Sequence, residues 1–171
     1  MEEIKVLIDE KTLQARVKEI AEQLIKEYKG KELTFICILK GSIFFTVDLA
    51  RYIPSEIKID FVRVSSYKGE NSSGEIKMKL DLKGSIQGKD VIVIEDIIDT
   101  GRTLKYLKEY LKLKKPNSLK ICTLLDKKER RVCDMEADYV GFTIPDKFVV
   151  GYGLDYNEKY RNLPYVGYID V

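Results

Sequence analysis

The sequence predicts an α/β domain with an open, mainly parallel sheet flanked by helices, and three features carry that prediction. The first is a unit that recurs: an apolar strand-like run, a short polar turn and an apolar helical stretch, around residue 40 and again around residue 95. The second is the character of the runs. Val91-Ile92-Val93-Ile94 is β-branched without alternation, as in a strand covered on both faces of a parallel sheet. The third is size: 171 residues, 44% hydrophobic and 34% charged, suit one well-packed domain spanning residues 1–171 and are too few for two ordinary ones.

Each element has its own signal. Leu13, Val17, Ile20, Ala21, Leu24, Ile25 and Tyr28 recur at helical spacing, with Asp9 placed to cap the first turn and Gly30 to close the last. Residues 33–39 form a strand-like run broken only by Thr34, and Lys40-Gly41-Ser42 leads into the apolar helix 43–49. Ile57, Ile59 and Phe61 alternate as a strand should, while Val62 and Val64 fall on the opposite phase, predicting a bulge or burial on both faces. Residues 65–75 are rich in Ser and Gly and lack core side chains, so the segment from about 65 to 76, with Ser66 and Tyr67, is expected to be a mobile lid. Met78, Leu80 and Leu82 read as a returning hairpin strand, and Gly84 and Gly88 turn the chain toward Val91. Two further strands follow at 119–125 and 139–144; residues 145–171, rich in Tyr, Gly and charge, are expected to pack over the carboxyl edge.

The most informative segment is Glu95-Asp96-Ile97-Ile98-Asp99-Thr100-Gly101-Arg102-Thr103, entered from the buried run and followed by the helical pattern Leu104, Leu107, Tyr110 and Leu111. Ligand crevices of open α/β sheets lie at the carboxyl ends of the strands. A helix N-terminus there, with Thr100 and Thr103 hydroxyls, suits a phosphate monoester. An adjacent carboxylate pair would repel a bare polyanion, so Glu95 and Asp96 suit sugar hydroxyls or Mg2+. The ligand implied is a phosphorylated sugar with a metal.

Other features exclude chemistry. No Gly-x-x-x-x-Gly-Lys-Ser/Thr loop occurs, which removes the main support for a nucleoside triphosphatase. The chain has no histidine, so proton transfer falls to a carboxylate, Lys, Tyr or Cys. Cys37, Cys122 and Cys133 lack metal-site spacing and read as buried, reduced thiols. Lys112, Lys114, Lys115, Lys120, Lys127, Lys128, Arg130 and Arg131 make a basic stretch, read for the most part as a solvated face, and a formal net charge of +2 carries no argument for nucleic acid. Met1-Glu2-Glu3-Ile4-Lys5 lacks a signal-peptide profile and no apolar stretch reaches spanning length, so a cytoplasmic protein without membrane partners is expected.

Val91 to Thr103 resembles, without a gap, the phosphoribosyl diphosphate (PRPP) signature of type I phosphoribosyltransferases. Pro145 to Arg161 is similar to the purine-binding hood of the hypoxanthine-guanine members. Leu39-Lys40-Gly41, Ser66-Tyr67, Asp81-Leu82, Gly88-Lys89-Asp90 and Leu124-Leu125-Asp126-Lys127 match further segments of that family in the same order. The resemblance implies transfer of a 5-phosphoribosyl group to hypoxanthine or guanine with Mg2+. It places the 5′-phosphate on Asp99, Thr100, Gly101, Arg102 and Thr103, the ribose on Glu95 and Asp96, and the diphosphate on Lys40, Gly41 and Arg161. Phe148, Val149, Lys127 and backbone near Asp155 would hold the purine, with Lys127 donating to O6; Glu95, Asp96 and Asp155 would serve the metal, and Asp99 would accept the N7 proton. It further implies a cis Leu39–Lys40 peptide and a homodimer or homotetramer. Arg102 stands where Lys is frequent and keeps the cation; Gly153 stands where some members carry another small residue and is expected to loosen the hood. A PRPP-binding regulator, or a pyrimidine phosphoribosyltransferase with a nucleic-acid role, is the competing reading, resting on the basic stretch alone.

Overall fold

A computed structural model describes residues 3–66 and 75–170. Six strands form the main sheet: β2 (Leu33–Ile38), β3 (Ile57–Ser66), β4 (Ile76–Leu80), β5 (Asp90–Ile98), β6 (Ser118–Asp126) and β7 (Tyr139–Thr143), in the order β4-β3-β2-β5-β6-β7. All neighbours run parallel except β4, which returns antiparallel on β3. Helices α1 (Glu10–Glu27), α2 (Ile43–Arg51) and α3 (Arg102–Lys112) cover it. Asp9 caps α1 by accepting from the Thr12 amide at 2.8 Å.

The unalternating strands are explained by two cores, one on each face of the sheet. Phe35, Ile92, Ile94 and Leu124 pack with Leu13, Val17, Ile20 and Leu24 of α1 and Phe45 and Leu49 of α2. Ile36, Val91, Val93 and Ile121 pack with Leu104, Leu107 and Leu111 of α3. Successive side chains of β2 and β5 therefore point into different cores, which is why both strands are apolar without alternation apart from Thr34 and the acidic residues near the ends of β5. Each fully buried aliphatic chain contributes roughly 1.5–3 kcal/mol relative to exposure. Among the described residues no helix is long and apolar enough to cross a membrane.

The structure refines several expectations. A second sheet, β1 (Lys5–Ile8), β9 (Val166–Ile169) and β8 (Phe148–Val150) in the order β1-β9-β8, makes the hood, so the N-terminal segment contributes a strand to it. Four residues with Val6 exposed carry too little periodicity to reveal β1 beforehand. The irregularity expected near Val64 lies in its pairing with β4, where Arg63 pairs with Leu80 but Val64 with Met78, leaving Lys79 as the extra residue. β5 runs on to Ile98: its last partner on β2 is Cys37, opposite Ile94, and beyond it only β6 continues alongside. Glu95 and Asp96 thus project from a strand that outruns its neighbour.

Candidate active site

The acidic pair sits where β5 leaves β2 behind. Glu95 is 9% exposed, and its carboxylate accepts from the Asp96 amide at 2.9 Å; the Asp96 carboxylate accepts from the Ile97 amide at 2.7 Å. Burial, reinforced by the neighbouring Asp96 charge, pushes the Glu95 carboxyl well above the usual carboxylate range. Burial raises Asp96 as well, against opposing hydrogen bonds and the Arg161 charge, and the two titrate as a unit. Gly41 lies directly against this pair: a Cβ there would stand 1.7 Å from Asp96 Oδ2. The Leu39–Lys40 peptide preceding it is cis.

The expected phosphate cradle follows. Gly101, with φ +84°, is the cap of α3, and the Thr100 hydroxyl accepts from the Arg102 amide at 3.4 Å. The amides of the first turn open on a cavity of about 240 Å³ lined by Glu95, Asp99, Thr100, Gly101 and Thr103. Asp99 Oδ1 is buried and accepts no hydrogen bond from the described residues. Behind the cradle the chain from 131 to 133 braces it. Arg131 Nε donates to the Asp99 carbonyl at 3.3 Å, its two terminal nitrogens reach Met135 O and the fully buried Asp126, and the Val132 amide donates to Thr100 O at 3.1 Å. Arg131 is thus an exception to the solvated basic face. Cys37 and Cys122 are buried as expected, whereas Cys133 is only partly so and its thiol lies 3.4 Å from Thr100 O.

Lys127 is the second exception, being 7% exposed. Its ammonium stands 3.7 Å from Asp99 Oδ1 and 3.6 Å from Asp146 Oδ1, a cation held between two carboxylates at the rim of the cradle. Phe148 opens the edge strand of the hood with 41% of its surface exposed, its ring edge-on to Tyr156 at 5.4 Å. Val149 follows on the same strand, paired with Tyr168; as β8 has a neighbour on one side only, alternate backbone groups face away from the sheet.

The hood touches the first turn. Gly153, at φ +102°, lies where a Cβ would be 2.0 Å from Gly41 O. The expectation that Gly153 loosens the hood is therefore corrected: lacking a side chain, it lets hood backbone press on the 40–41 turn. Arg161 donates to Gly153 O at 2.7 Å and pairs at 3.1 Å with both Asp155 and Glu158, while Lys40 Nζ lies 2.8 Å from Glu158. Of the expected lid, Ser66 ends β3, and Tyr67 with residues up to 74 lies outside the described residues.

Sequence reasoning missed Arg131, Asp126, Asp146 and Glu158. Arg131 and Asp126 carried no signal beyond membership of a basic stretch and the end of an apolar run. Glu158 had one: Glu beside Asn at a tight turn where Gly is favoured. Among the described residues no three acidic, Cys or His groups converge as a metal cage. Two adjacent carboxylates, Glu95 buried and Asp96 half-buried, fit Mg2+, which takes one or two protein carboxylates and completes its shell with water and substrate oxygens.

An acidic pair at a strand end beside a helix N-terminus, on a mainly parallel sheet, is the arrangement of the type I phosphoribosyltransferase fold, and the model of the phosphoribosyl transferase domain family matches residues 6–157. The chain is 52% identical over 164 residues to a hypoxanthine-guanine phosphoribosyltransferase of Streptococcus thermophilus, covering 95% of this chain and 91% of that one. A crystal structure of a hypoxanthine-guanine phosphoribosyltransferase of Bacillus anthracis, with HEPES in its active site, matches at TM-score 0.94 and 50% identity over 98% of this chain and 100% of that chain. A hypoxanthine phosphoribosyltransferase of Staphylococcus aureus matches at TM-score 0.92 and 53% identity over 97% and 91%. The chain belongs to the hypoxanthine-guanine phosphoribosyltransferase family.

Proposed function

We propose that this protein is a purine-salvage transferase that moves the 5-phosphoribosyl group of PRPP to N9 of hypoxanthine or guanine and releases diphosphate. The observation that carries the reading is the Lys127 ammonium 3.7 Å from Asp99 at the rim of the phosphate cradle, which sets a base-recognising donor beside a proton acceptor. A 6-oxo group accepts from Lys127, whereas a 6-amino group would oppose donor to donor, so the site selects oxopurines. Phe148 offers an open ring face for stacking on the base.

The 5′-phosphate lies on the amides and hydroxyls of the cradle, and Glu95 and Asp96 receive the ribose hydroxyls. Bond making joins purine N9 to C1′ as the C1′–O bond breaks and its electron pair leaves with the diphosphate. Asp99 takes the N7 proton, through a buried oxygen that accepts no hydrogen bond and faces the Lys127 ammonium at 3.7 Å. Lys40, the amides beside it and Arg161 receive the diphosphate, with Arg161 suited by its forked donors. Glu95, Asp96 and Asp155 are the residues that would hold Mg2+, which when bound neutralises charge on the diphosphate. The outer face of α2, with Phe44, Val47 and Tyr52 each about two-fifths exposed, is the proposed contact between subunits of a homodimer or homotetramer working in the cytoplasm.

A transfer assay with PRPP and Mg2+, run separately with hypoxanthine, guanine, xanthine and uracil and followed by ultraviolet absorbance, tests this reading. Nucleotide formation from hypoxanthine or guanine and none from uracil is expected. Turnover of uracil alone, or of no base with PRPP still bound, overturns it.

A further inference from the structure

Asn157 and Glu158 form the tip of a two-residue turn. Tyr156 and Lys159 exchange backbone hydrogen bonds of 3.1 and 3.0 Å, and the tip residues have φ of 52° and 61°. Turns with positive φ at both central residues favour Asn followed by Gly, since Gly alone meets no Cβ penalty there. Asn157 obeys that preference and Glu158 breaks it. The side chain at this unfavourable position reaches two cations at once, Lys40 Nζ at 2.8 Å through one oxygen and Arg161 at 3.1 Å through the other. Asp155 anchors the same turn, accepting from the Glu158 amide at 2.9 Å and pairing with Arg161. The two cations hold the Glu158 carboxyl below its usual range. A local rule broken without a packing gain marks a position shaped by something other than folding, and Glu158 is largely exposed with no core contact to explain it.

We infer that Glu158 is a tethered stand-in for diphosphate, competing with it for Lys40 and Arg161 and so limiting how tightly the product is retained. The inference rests on the proposed role of those two cations at the diphosphate site. A carboxylate fixed to the same loop acts at high effective concentration, yet its two exposed ion pairs are individually weak, so a multiply charged diphosphate displaces it and is in turn displaced when it leaves. Removing Glu158 therefore tightens the ligand, the opposite of what loss of a binding residue does.

Calorimetric titration of the full chain with inorganic pyrophosphate at fixed Mg2+ tests this with Glu158→Gln, Glu158→Asp and Arg161→Met. Asp keeps the charge but is one methylene too short to bridge both cations. Glu158→Gln and Glu158→Asp should both bind pyrophosphate more tightly, by about threefold to tenfold for the loss of two exposed pairs, and Arg161→Met more weakly. Tightening in Glu158→Gln with Glu158→Asp unchanged reduces the effect to net charge and overturns the inference. So does wild-type or weaker affinity in Glu158→Gln when Arg161→Met is weakened. Unaltered affinity in Arg161→Met, or no binding to the wild type, refutes the diphosphate assignment itself.

Discussion

Gly41→Ala is predicted to disable the site through Asp96. The added methyl would stand 1.7 Å from Asp96 Oδ2 and 2.7 Å from its Cγ, and such contacts below 3.0 Å are essentially absent from folded proteins. One partner must retreat by about 1 Å or more. The turn cannot back away, because the hood leaves no room behind it: a Cβ on Gly153 would lie only 2.0 Å from Gly41 O. The carboxylate moves instead, away from the hydrogen bond that it accepts from the Ile97 amide at 2.7 Å. A misplacement of about 1 Å at a reacting centre lowers the rate by about 10²-fold, or about 2.7 kcal/mol of transition-state stabilisation, while overpacking lowers folding stability by about 1–3 kcal/mol. The assay is steady-state kinetics against PRPP for Gly41→Ala, Asp96→Ala and the double variant, with denaturant midpoints alongside. Because the loss passes through Asp96, the double variant should be no slower than Asp96→Ala alone. Wild-type kcat/KM in Gly41→Ala, or fully additive losses, would refute this reasoning.

Three further outcomes are expected. Asp99→Asn should lower kcat by about 10²–10⁴-fold, the range of a lost proton acceptor, with KM for PRPP little changed; equal losses in both would make Asp99 a structural residue. Glu95→Gln should raise the melting temperature of the ligand-free protein at neutral pH while weakening PRPP binding. The raised Glu95 pKa means that the folded state binds a proton more tightly than the unfolded one, so stability falls as pH climbs from the ordinary glutamate value through the folded one. The difference between variant and wild type should therefore vanish below about pH 4, and its persistence there would count against this cause. Arg131→Met strands the fully buried Asp126 and should destabilise by about 3–5 kcal/mol. Adding Asp126→Leu should recover most of that stability in denaturant titrations yet leave KM for PRPP high, since the brace on the Asp99 carbonyl is still missing. Recovery of both would show that Arg131 acts through stability alone.

Much of the fold and the centre of the site was legible along the chain. Strand and helix periodicities are local, and the helices from Leu13 and Leu104, the buried run at Val91 and the cradle of Asp99 to Thr103 all announce themselves within a dozen residues. Sequence also determined that any proton acceptor here must be other than histidine. What it left undecided depends on which distant segments meet and which charges lose their water. Lys127 reads as surface charge until β6 and the turn at Asp146 bury it between two carboxylates. Arg131 belongs to a basic run until its fork closes on Asp126 and the Asp99 carbonyl, 32 positions away. Glu158 and Lys40 stand 118 positions apart in sequence, and only the hood laid over the carboxyl edge brings them to 2.8 Å. Spacing records the period of backbone structure; burial and the pairing of remote charges arise when the layers pack, and tertiary structure alone decides them.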